Sequence, residues 1–329
     1  MVNQMTPSSI SLRPAVAVVV PAAMTVIAAV AVLSAAGVAF HLSAHLPARA
    51  VLPHMHGLLE AMPSASMILL GAISGACAGL LAGLIGIGGG IVIVPFVYYG
   101  LMASGLSADQ AAHVAIGTSL AAILPAALVS SFGHWRAGHT DIGFLRTWGP
   151  GIVLGVVAAQ LTAPHVRGSL MTGVFGLLCL LFAVRFACPG RFQQTTERPA
   201  TSAFRNVASV SIGLVSGLAG VGGGIMTNIV MSLSGMSMHK CIGRAAAVGV
   251  VVSVPATIVA ALGPGPHGLI QLGSIDLVVW ACIAPTQAVA AWLGARLAQR
   301  IAGNILSRVM AGALLATGAA MLRSSLLGA

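Results

Sequence analysis

Long apolar runs fill most of the chain and are separated by short polar or Gly-rich segments. A helix needs about 20 residues to cross the hydrocarbon core of a bilayer, and most of the runs approach that length. The runs that begin at 91 and 225 are shorter, and each starts in a cluster of glycines. The predicted elements cover 14–40, 66–84, 91–102, 111–132, 147–163, 169–187, 205–219, 225–237, 244–262, 276–293 and 304–323.

An internal repeat is the strongest feature of the sequence. Residues 83–91 (GLIGIGGGI) and 217–225 (GLAGVGGGI) share every glycine in register. The matches continue downstream in the same order: 115–117 with 247–249, Pro125 with Pro255, and Leu154-Gly155 with Leu293-Gly294. An ordered series of this kind rarely arises by chance, so it indicates two related halves.

Each half contains five apolar elements. Because five is odd, the two halves enter the membrane in opposite senses, which is a common plan of secondary transporters. We therefore predict an all-α integral membrane fold with about 10 or 11 membrane helices or half-helices in two inverted-topology repeats. The predicted segments are 1–63, an extra helix and a His-bearing outer loop; 64–187, the first repeat; 188–203, a basic cytoplasmic linker; and 204–329, the second repeat.

The basic residues are distributed unevenly between the two sides of this arrangement. If 188–203 is cytoplasmic and every element crosses, the far side carries only Arg49, Arg167 and Arg323. This bias follows the positive-inside rule, and it predicts a cytoplasmic N-terminus and a C-terminus on the outside. The cytoplasmic side then carries twelve of the 15 basic residues: Arg13, Arg136, Arg146, Arg185, Arg191, Arg198, Arg205, Lys240, Arg244, Arg296, Arg300 and Arg308.

Composition argues against a soluble domain and against a nucleic-acid-binding protein. The chain is 58% apolar and 6% charged, whereas soluble domains carry about 25% charged residues. The net charge of +10 could indicate a nucleic-acid partner. We expect none, because the basic residues lie between apolar runs and not in a patch with interleaved aromatics.

The run at 14–40 is longer than the ~7–15-residue core of a signal peptide, so we expect a retained helix.

The sequence offers little material for a metal site or an enzyme. Five cysteines without a CxxC spacing indicate buried free thiols. The histidines at 41–56 could bind zinc or copper, but Glu60 is the one other ligand type beside them, and we expect no metal. Five acidic residues spread over the chain form no catalytic set, so we expect neither enzymatic activity nor a cofactor.

The two glycine clusters, 86–90 and 220–224, are called here the first and the second Gly break. Such sequences do not form continuous good helix, and broken backbone at membrane depth is tolerated only inside the protein or beside an aqueous cavity. The helix that starts after each break has unpaired N–H groups and a positive dipole end, which together favour an anion. Close helix packing through small residues is the alternative. The candidate anion-binding glycines are Gly88, Gly89, Gly90, Gly222, Gly223 and Gly224.

The duplicated G-x-x-G-x-G-G-G-I, followed by Pro95 and by the segment Ala115-Ile116-Gly117-Thr118-Ser119, resembles the sulfite exporter TauE/SafE family, also described as toluenesulfonate uptake permeases. The resemblance covers about 66–325 and leaves 14–63 outside. It implies movement of sulfur-containing anions, such as sulfite and organosulfonates, across the bacterial inner membrane, and no cofactor. The second half departs from the pattern, since Val250 and Val251 stand where the first half has Thr118 and Ser119.

Polar side chains near the breaks are candidate ligands. Thr118 and Ser119 could hydrogen-bond an oxyanion, and Thr227 and Asn228 follow the second break closely enough to do the same. In membrane helices such hydroxyls also bond to carbonyls of their own or a neighbouring helix. Three mid-run residues, Gln160, Thr286 and Gln287, are interpreted as contacts between helices.

Ionisable residues beside the spans are the remaining candidates. Arg244 opens the run at 244–262 and is our choice for a cation that faces the anion, although an interfacial anchor is the alternative. His113 lies at the start of its run, where it could couple transport to protons or act as a polar cap.

These features predict a secondary transporter that exports a small sulfur-containing anion by rocking of its two halves. The alternatives are an anion channel with the same pore chemistry and a non-transporting membrane scaffold or maturation factor. The expected partners are the small anionic substrate, the lipid bilayer and a second copy of the chain.

Overall fold

The computed structural model describes residues 65–85, 88–136, 138, 141–187, 201–233, 236, 238–265, 271–297 and 303–327. The predicted N-terminal helix at 14–40, the His-bearing segment at 41–63 and nearly all of the predicted linker at 188–203 lie outside these residues. Their assignments stay predictions.

The described residues form ten α-helices, and each coincides with one predicted apolar run. The first half contains α1 (Ala65–Ile85), α2 (Gly90–Ala103), α3 (Ala108–Arg136), α4 (Ile142–Thr162) and α5 (Gly168–Ala187). The second half contains α6 (Ser202–Ala219), α7 (Gly224–Leu233), α8 (Met238–Leu262), α9 (Leu277–Leu297) and α10 (Gly303–Leu327). A 3-10 turn, Ala163–His165, extends α4.

Five of the described helices are long and apolar enough to cross a bilayer: Ala108–Arg136, Ile142–His165, Gly168–Ala187, Cys241–Leu262 and Leu277–Arg296. Large apolar side chains on these helices are more than half exposed, including Leu154, Leu161, Leu181 and Ile258. Water would not favour such a surface, whereas lipid does. The chain is therefore an all-α integral membrane protein that spans the bilayer several times.

Helices α2 and α7 are too short to span. They contain 14 and 10 residues, which at 1.5 Å per residue reach about 21 and 15 Å, short of the ~30 Å hydrocarbon core. Each follows one Gly break directly. They are half-helices, as the short apolar runs predict.

The helices pair by exchange between the two halves. The first helix of the first half, α1, packs mainly along α9, the fourth helix of the second half. In the same way α6, the counterpart of α1, packs along α4, the counterpart of α9. The third helices, α3 and α8, pack against each other, as do the fifth helices, α5 and α10.

Glycines allow the exchanged pairs to approach closely. Along α1, Gly71 lies beside Cys282 and Gly83 lies beside Ala291, so α1 and α9 run in the same direction. Helices α4 and α6 also run in parallel, because Gly151 lies beside Ser209 and Gly217 beside Ala159. Small residues at membrane helix interfaces give this kind of backbone contact.

A short hairpin separates α8 from α9 and has no equivalent described between α3 and α4. Its strands are β1 (Gln271–Leu272) and β2 (Ile275–Asp276), paired antiparallel around Gly273, whose φ is +58°. Two-residue strands carry no alternating pattern, so the sequence does not predict them. The carboxylate of Asp276 accepts hydrogen bonds from the backbone N–H groups of Val278 and Val279, at 3.0 Å each, and thereby caps α9.

Candidate functional site

Both Gly breaks interrupt the helices with backbone that favours glycine. In the first break Gly88 has φ +86° and Gly89 has φ +76°, and in the second break Gly220 and Gly223 both have φ +70°. This left-handed region costs an L-residue about 1–2 kcal/mol, so glycine is required there. Gly89 precedes α2 without a side-chain cap. The Val92 N–H bonds to the carbonyl oxygen of Gly89 at 3.1 Å, so it is the earlier N–H groups of the first turn that depend on another acceptor.

The two breaks touch each other. A methyl group on Gly88 would lie 3.5 Å from the Cα of Gly222 and 3.5 Å from the Cγ2 of Ile123. The Cα of Gly90 faces the carbonyl oxygen of Gly220 in the same contact. Side-chain volume at these positions would separate the breaks, so glycine also serves this close approach.

Helices α2 and α7 begin at this contact and run away from it in opposite directions. Helices α3 and α8, which follow them in the chain, are antiparallel: Ala127 lies opposite Gly249, while Gly117 and Ala260 line one cavity. Helix α2 returns to the beginning of α3, and α7 returns to the beginning of α8. The positive ends of two half-helix dipoles therefore lie close together inside the protein.

The predicted hydroxyl ligands of the first half lie in α3 at this level, and both are fully buried. The Ser119 hydroxyl donates to the carbonyl oxygen of Gly220 at 3.0 Å, which places it directly on the second break. The Thr118 hydroxyl oxygen accepts a hydrogen bond from the Asp276 backbone N–H at 2.9 Å and so contacts the hairpin. Of these two neighbours, Ser119 therefore bonds to the second break and Thr118 bonds to the hairpin.

The predicted ligands of the second half lie in the first turn of α7. The Thr227 hydroxyl donates to the carbonyl oxygen of Gly223 at 2.9 Å, and Asn228 is buried next to it. In α8, Ser253 donates to the carbonyl of its own helix residue Val250 at 3.5 Å. Two hydroxyl groups, those of Ser119 and Thr227, thus bond to carbonyl oxygens of the second break, whereas that of Ser253 bonds to its own helix.

The described contacts of the Arg244 side chain are with Asp141, Met236 and Phe144. Its guanidinium forms an ion pair with Asp141 at 3.2 Å, lies 2.7 Å from the sulfur of Met236, and stacks 4.8 Å from the centre of the Phe144 ring. These contacts connect the beginning of α4 with the beginning of α8. The structure does not bring Arg244 together with the predicted anion-binding glycines.

His113 lies at the wall of a cavity of about 230 Å³ between the beginning of α3 and the ends of α4 and α8, called here the His113 cavity. Its Nδ1 is 2.7 Å from the carbonyl oxygen of Asp109, and its Nε2 is 3.0 Å from that of Ala163. Both ring nitrogens therefore face acceptors. A doubly protonated imidazole can donate to both carbonyls, and a neutral one to a single carbonyl.

The His113 cavity ends above the breaks. Ile116 and Gly117 line its inner part, and the backbone of Ile116 lies against Gly220. Ile123, seven residues further along α3, contacts both breaks. At 1.5 Å per residue, Ile123 lies about 10 Å along the helix from Ile116. The glycines of the breaks do not line the described cavity. In this conformation the breaks are packed against each other.

Burial affects one titratable group near this cavity and outside the spanning segments. Burial raises the pKa of Asp276, and the hydrogen bonds from the backbone N–H groups of Val279 and Val278 partly oppose this rise. The backbone of Asp276 also contacts Thr118. The hairpin is thereby attached to the helix that carries the hydroxyl pair.

Two glutamines that the sequence predicts only as contacts between helices bond to backbone in or just before the breaks. The side-chain N–H of Gln287 in α9 donates to the carbonyl oxygen of Gly88 at 3.2 Å, and that of Gln160 in α4 donates to the carbonyl oxygen of Gly217 at 2.9 Å. In the sequence, both glutamines are recognisable as polar amides in the middle of apolar runs, which indicates a buried hydrogen-bond partner. Their targets depend on the exchanged helix pairs, which the sequence does not reveal.

Comparison with known proteins places this sequence in a family of membrane transporters. The family described as sulfite exporter TauE/SafE matches residues 70–321. A protein of Haemophilus influenzae named "Probable membrane transporter protein" is 30% identical over 189 residues, which cover 57% of this chain and 72% of that protein. No solved structure matches the chain.

Two further relatives have related names. A probable membrane transporter protein of Methanocaldococcus jannaschii is 25% identical over 191 residues, 54% of this chain and 66% of that protein. The probable membrane transporter protein YunE of Bacillus subtilis is 28% identical over 174 residues, 46% of this chain and 62% of that protein. The aligned part thus spans slightly less than two thirds of the length of these two relatives.

Proposed function

Because the chain belongs to the sulfite exporter TauE/SafE family, we propose that it is a secondary transporter that exports a small sulfur-containing anion such as sulfite or an organosulfonate. The observation that carries this proposal is the contact between the two Gly breaks. It brings the N-terminal ends of two half-helices together in a buried place. Each such end is equivalent to about half a positive elementary charge, so the pair favours an anion.

We propose that the anion binds between the breaks when they separate. The first-turn N–H groups after Gly88, Gly89 and Gly90, and those after Gly222, Gly223 and Gly224, are the donors. The hydroxyls of Ser119 and Thr227 now donate to Gly220 and Gly223, so they are close enough to turn to a ligand. Thr118 and Asn228 complete the polar wall of the proposed site.

The proposed path to this site differs on the two sides of the membrane. The His113 cavity is the outer approach, and its volume equals about eight water molecules at ~30 Å³ each, which suits a small hydrated ion. Arg244 is proposed to act at the cytoplasmic approach, where Asp141 holds it. His113 is the proposed proton-coupling group, because two carbonyls accept from its protonated form.

The directions of the helices support inverted topology. If both halves had the same orientation, the first helix of one half and the fourth helix of the other would be antiparallel. Instead α1 and α9 run in parallel, as do α4 and α6. The proposed bacterial inner-membrane orientation, with the N-terminus cytoplasmic and the C-terminus periplasmic, further depends on the distribution of basic residues.

The test is uptake of radiolabelled sulfite, sulfoacetate, sulfate and chloride into proteoliposomes. We expect saturable, gradient-dependent flux of sulfite or sulfoacetate, as a transporter gives. Large unitary currents would instead indicate a channel. Gly89→Leu and Gly223→Leu should abolish flux without preventing membrane insertion. The matched control is Gly100→Leu, because Gly100 lies in α2 with open space around it. Full flux in both break variants would falsify the assignment of the anion site.

A further inference from the structure

The fourth helix of each half packs into the other half more tightly than a sliding contact allows. A methyl group on Gly75, Gly79 or Gly83 of α1 would overlap a backbone carbonyl oxygen of α9, those of Ile283, Gln287 and Ala291 respectively. Backbone atoms cannot move aside as a flexible side chain can. Helices α1 and α9 are therefore joined into one unit although they belong to different halves.

The second exchanged pair repeats this arrangement. A methyl group on Gly155 of α4 would overlap the carbonyl oxygen of Val210, and one on Gly213 of α6 would overlap that of Ile152. Helices α4 and α6 are therefore joined in the same way. Packed helices shift as bodies and are not continuously deformable, so such contacts define which helices move together.

Each exchanged helix also donates a hydrogen bond through a glutamine to a backbone carbonyl in or just before a Gly break. Gln287 is fully buried in α9, and its side-chain N–H donates to the carbonyl oxygen of Gly88 in the first break. Gln160 is buried in α4, and its side-chain N–H donates to the carbonyl oxygen of Gly217, three residues before the second break. Loss of either donor would remove a hydrogen bond from a carbonyl inside the protein, which costs free energy.

We propose that Gln287 and Gln160 are positioning residues that attach the first Gly break and the end of α6 before the second Gly break, respectively, to the fourth helix of the other half, and that transport moves two swapped units against each other. The first unit consists of α1, α2, α3 and α9, and the second of α6, α7, α8 and α4. The proposal rests on the proposed transport function. It replaces rocking of the two chain halves by rocking of units that have exchanged one helix.

At the breaks the boundary between the swapped units is close, since a methyl group on Gly90 would overlap the carbonyl oxygen of Gly220, but along the third helices its contact is looser. It runs along α3 and α8, where a methyl group on Gly249 would lie 3.2 Å from the Cβ of Ala127 and no closer to any backbone atom than 3.5 Å, the distance to the carbonyl oxygen of Gly222. The two breaks meet at this same boundary. Relative movement there opens or closes the contact between Gly88 and Gly222.

Two engineered disulfides distinguish movement of the swapped units from movement of the chain halves. Both connect one half of the chain to the other, but only the second crosses the boundary between the swapped units. Gly71→Cys places a thiol beside the native Cys282, whose Cβ lies 3.0 Å from a methyl at position 71, and joins α1 to α9 inside one unit. Ala127→Cys with Gly249→Cys joins α3 to α8 across the boundary. Both separations are close to the ~3.5–4.5 Å that a disulfide spans between Cβ atoms. The native cysteines not used in a pair are replaced by alanine, and bridge formation is measured by loss of thiol labelling.

We expect sulfite flux in the oxidised Gly71→Cys protein to stay within about twofold of its reduced state, and the boundary disulfide to lower flux at least about tenfold, with recovery on reduction. Loss of flux with both disulfides would mean that the chain halves move as units and would overturn the proposal. Unchanged flux with both would also overturn it. Absence of flux in the reduced, unmutated protein with every anion tested would instead overturn the proposed function itself.

The positioning role has its own test in the KM for sulfite. Gln287→Leu keeps the side-chain volume and removes the donor to Gly88, so we expect KM to rise about tenfold, the size of one lost buried hydrogen bond. Gln271→Leu is the matched control, since Gln271 lies in β1 and not at a break. A purely structural role would lower the amount of folded protein and leave KM unchanged, and that result would overturn the assignment.

Discussion

The first and second Gly breaks have the same backbone form but different neighbours. Gly89 and Gly223 occupy equivalent positions of the repeat, and both adopt left-handed φ values. A methyl on Gly89 would lie 2.7 Å from the Gln287 side-chain nitrogen and 2.8 Å from the carbonyl oxygen of Ala78, whereas one on Gly223 would meet side-chain methyls of α8. Gly89 therefore lies against polar atoms and backbone, and Gly223 lies against apolar side chains.

The same asymmetry appears in the third helices. Helix α3 carries Thr118, Ser119 and His113, while the matching positions of α8 carry Val250, Val251 and Ala245. The repeat therefore supplies two similar backbones, and the first half supplies most of the polar side chains. We infer that the backbone sets the charge of the ligand and that the side chains of α3 set its identity.

The largest expected difference between the breaks concerns their left-handed glycines. Gly89→Ala should lower sulfite flux more than tenfold, because the ~1–2 kcal/mol cost of left-handed alanine adds to the collision with Ala78 backbone. Gly223→Ala should lower flux less, since the methyls of Val248 and Val252 can shift. Initial rates in proteoliposomes, normalised to inserted protein, measure both. Equal losses would show that the two breaks have equivalent surroundings.

The next effect concerns the hydroxyl on the second break. Ser119→Ala leaves the carbonyl of Gly220 without the donor described here, and a loss of about 1 kcal/mol corresponds to about fivefold in affinity. The mirror change, Val251→Ser, adds a hydroxyl to α8 and should alter flux by less than twofold. KM values for sulfite and chloride provide the measurement. A larger effect of Val251→Ser than of Ser119→Ala would contradict the asymmetry.

A smaller effect on downhill flux is expected from His113→Gln. Asp109 and His113 are the titratable side chains among the described residues that line the His113 cavity, and glutamine cannot accept a proton. Accumulation driven by a pH gradient should disappear, while downhill flux should fall no more than about threefold. Parallel assays with and without the gradient measure this. Retained proton-driven accumulation would remove His113 from the proposal.

The smallest effect concerns the hairpin present in the second half. Because burial raises the pKa of Asp276, its ionisation favours the unfolded state, so its contribution to stability is greatest below the unfolded pKa and falls as pH rises through the folded pKa. Asp276→Asn should keep the cap of α9 and remove this pH dependence, whereas Asp276→Ala should lose about 1 kcal/mol. Thermal unfolding in detergent at pH 4 and pH 7 tests both, and a pH-independent wild type would contradict this account.

Apolar runs were sufficient to predict the ten described helices and the shortness of α2 and α7. Their lengths and glycine clusters follow directly from residues such as those at 86–90 and 220–224. The hairpin at 271–276 was not predictable, because two-residue strands leave no periodic pattern. The N-terminal helix, the domain boundaries and the role of the histidines before residue 57 stay predictions.

The site could be predicted only where it depends on the backbone. Positions that need glycine can be recognised in the sequence. Ser119 was predicted from the segment that resembles the TauE/SafE family and not from the repeat, since the matching residue of the second half is Val251. Gln287, Gln160 and the partner of Arg244 could not be identified, because each depends on which helices meet in space. Helix α9 contacts the first break only through its exchange with α1, and local sequence carries no record of that exchange.

The central claim is that the first turns of α2 and α7 bind the anion. The most direct measurement is anomalous diffraction from crystals of the full chain grown with selenite, a heavier analogue of sulfite. We predict a selenium peak within hydrogen-bonding distance of the backbone N–H groups that follow Gly89 and Gly223. Selenite bound elsewhere, with the two breaks still in contact and sulfite flux intact, would contradict the account.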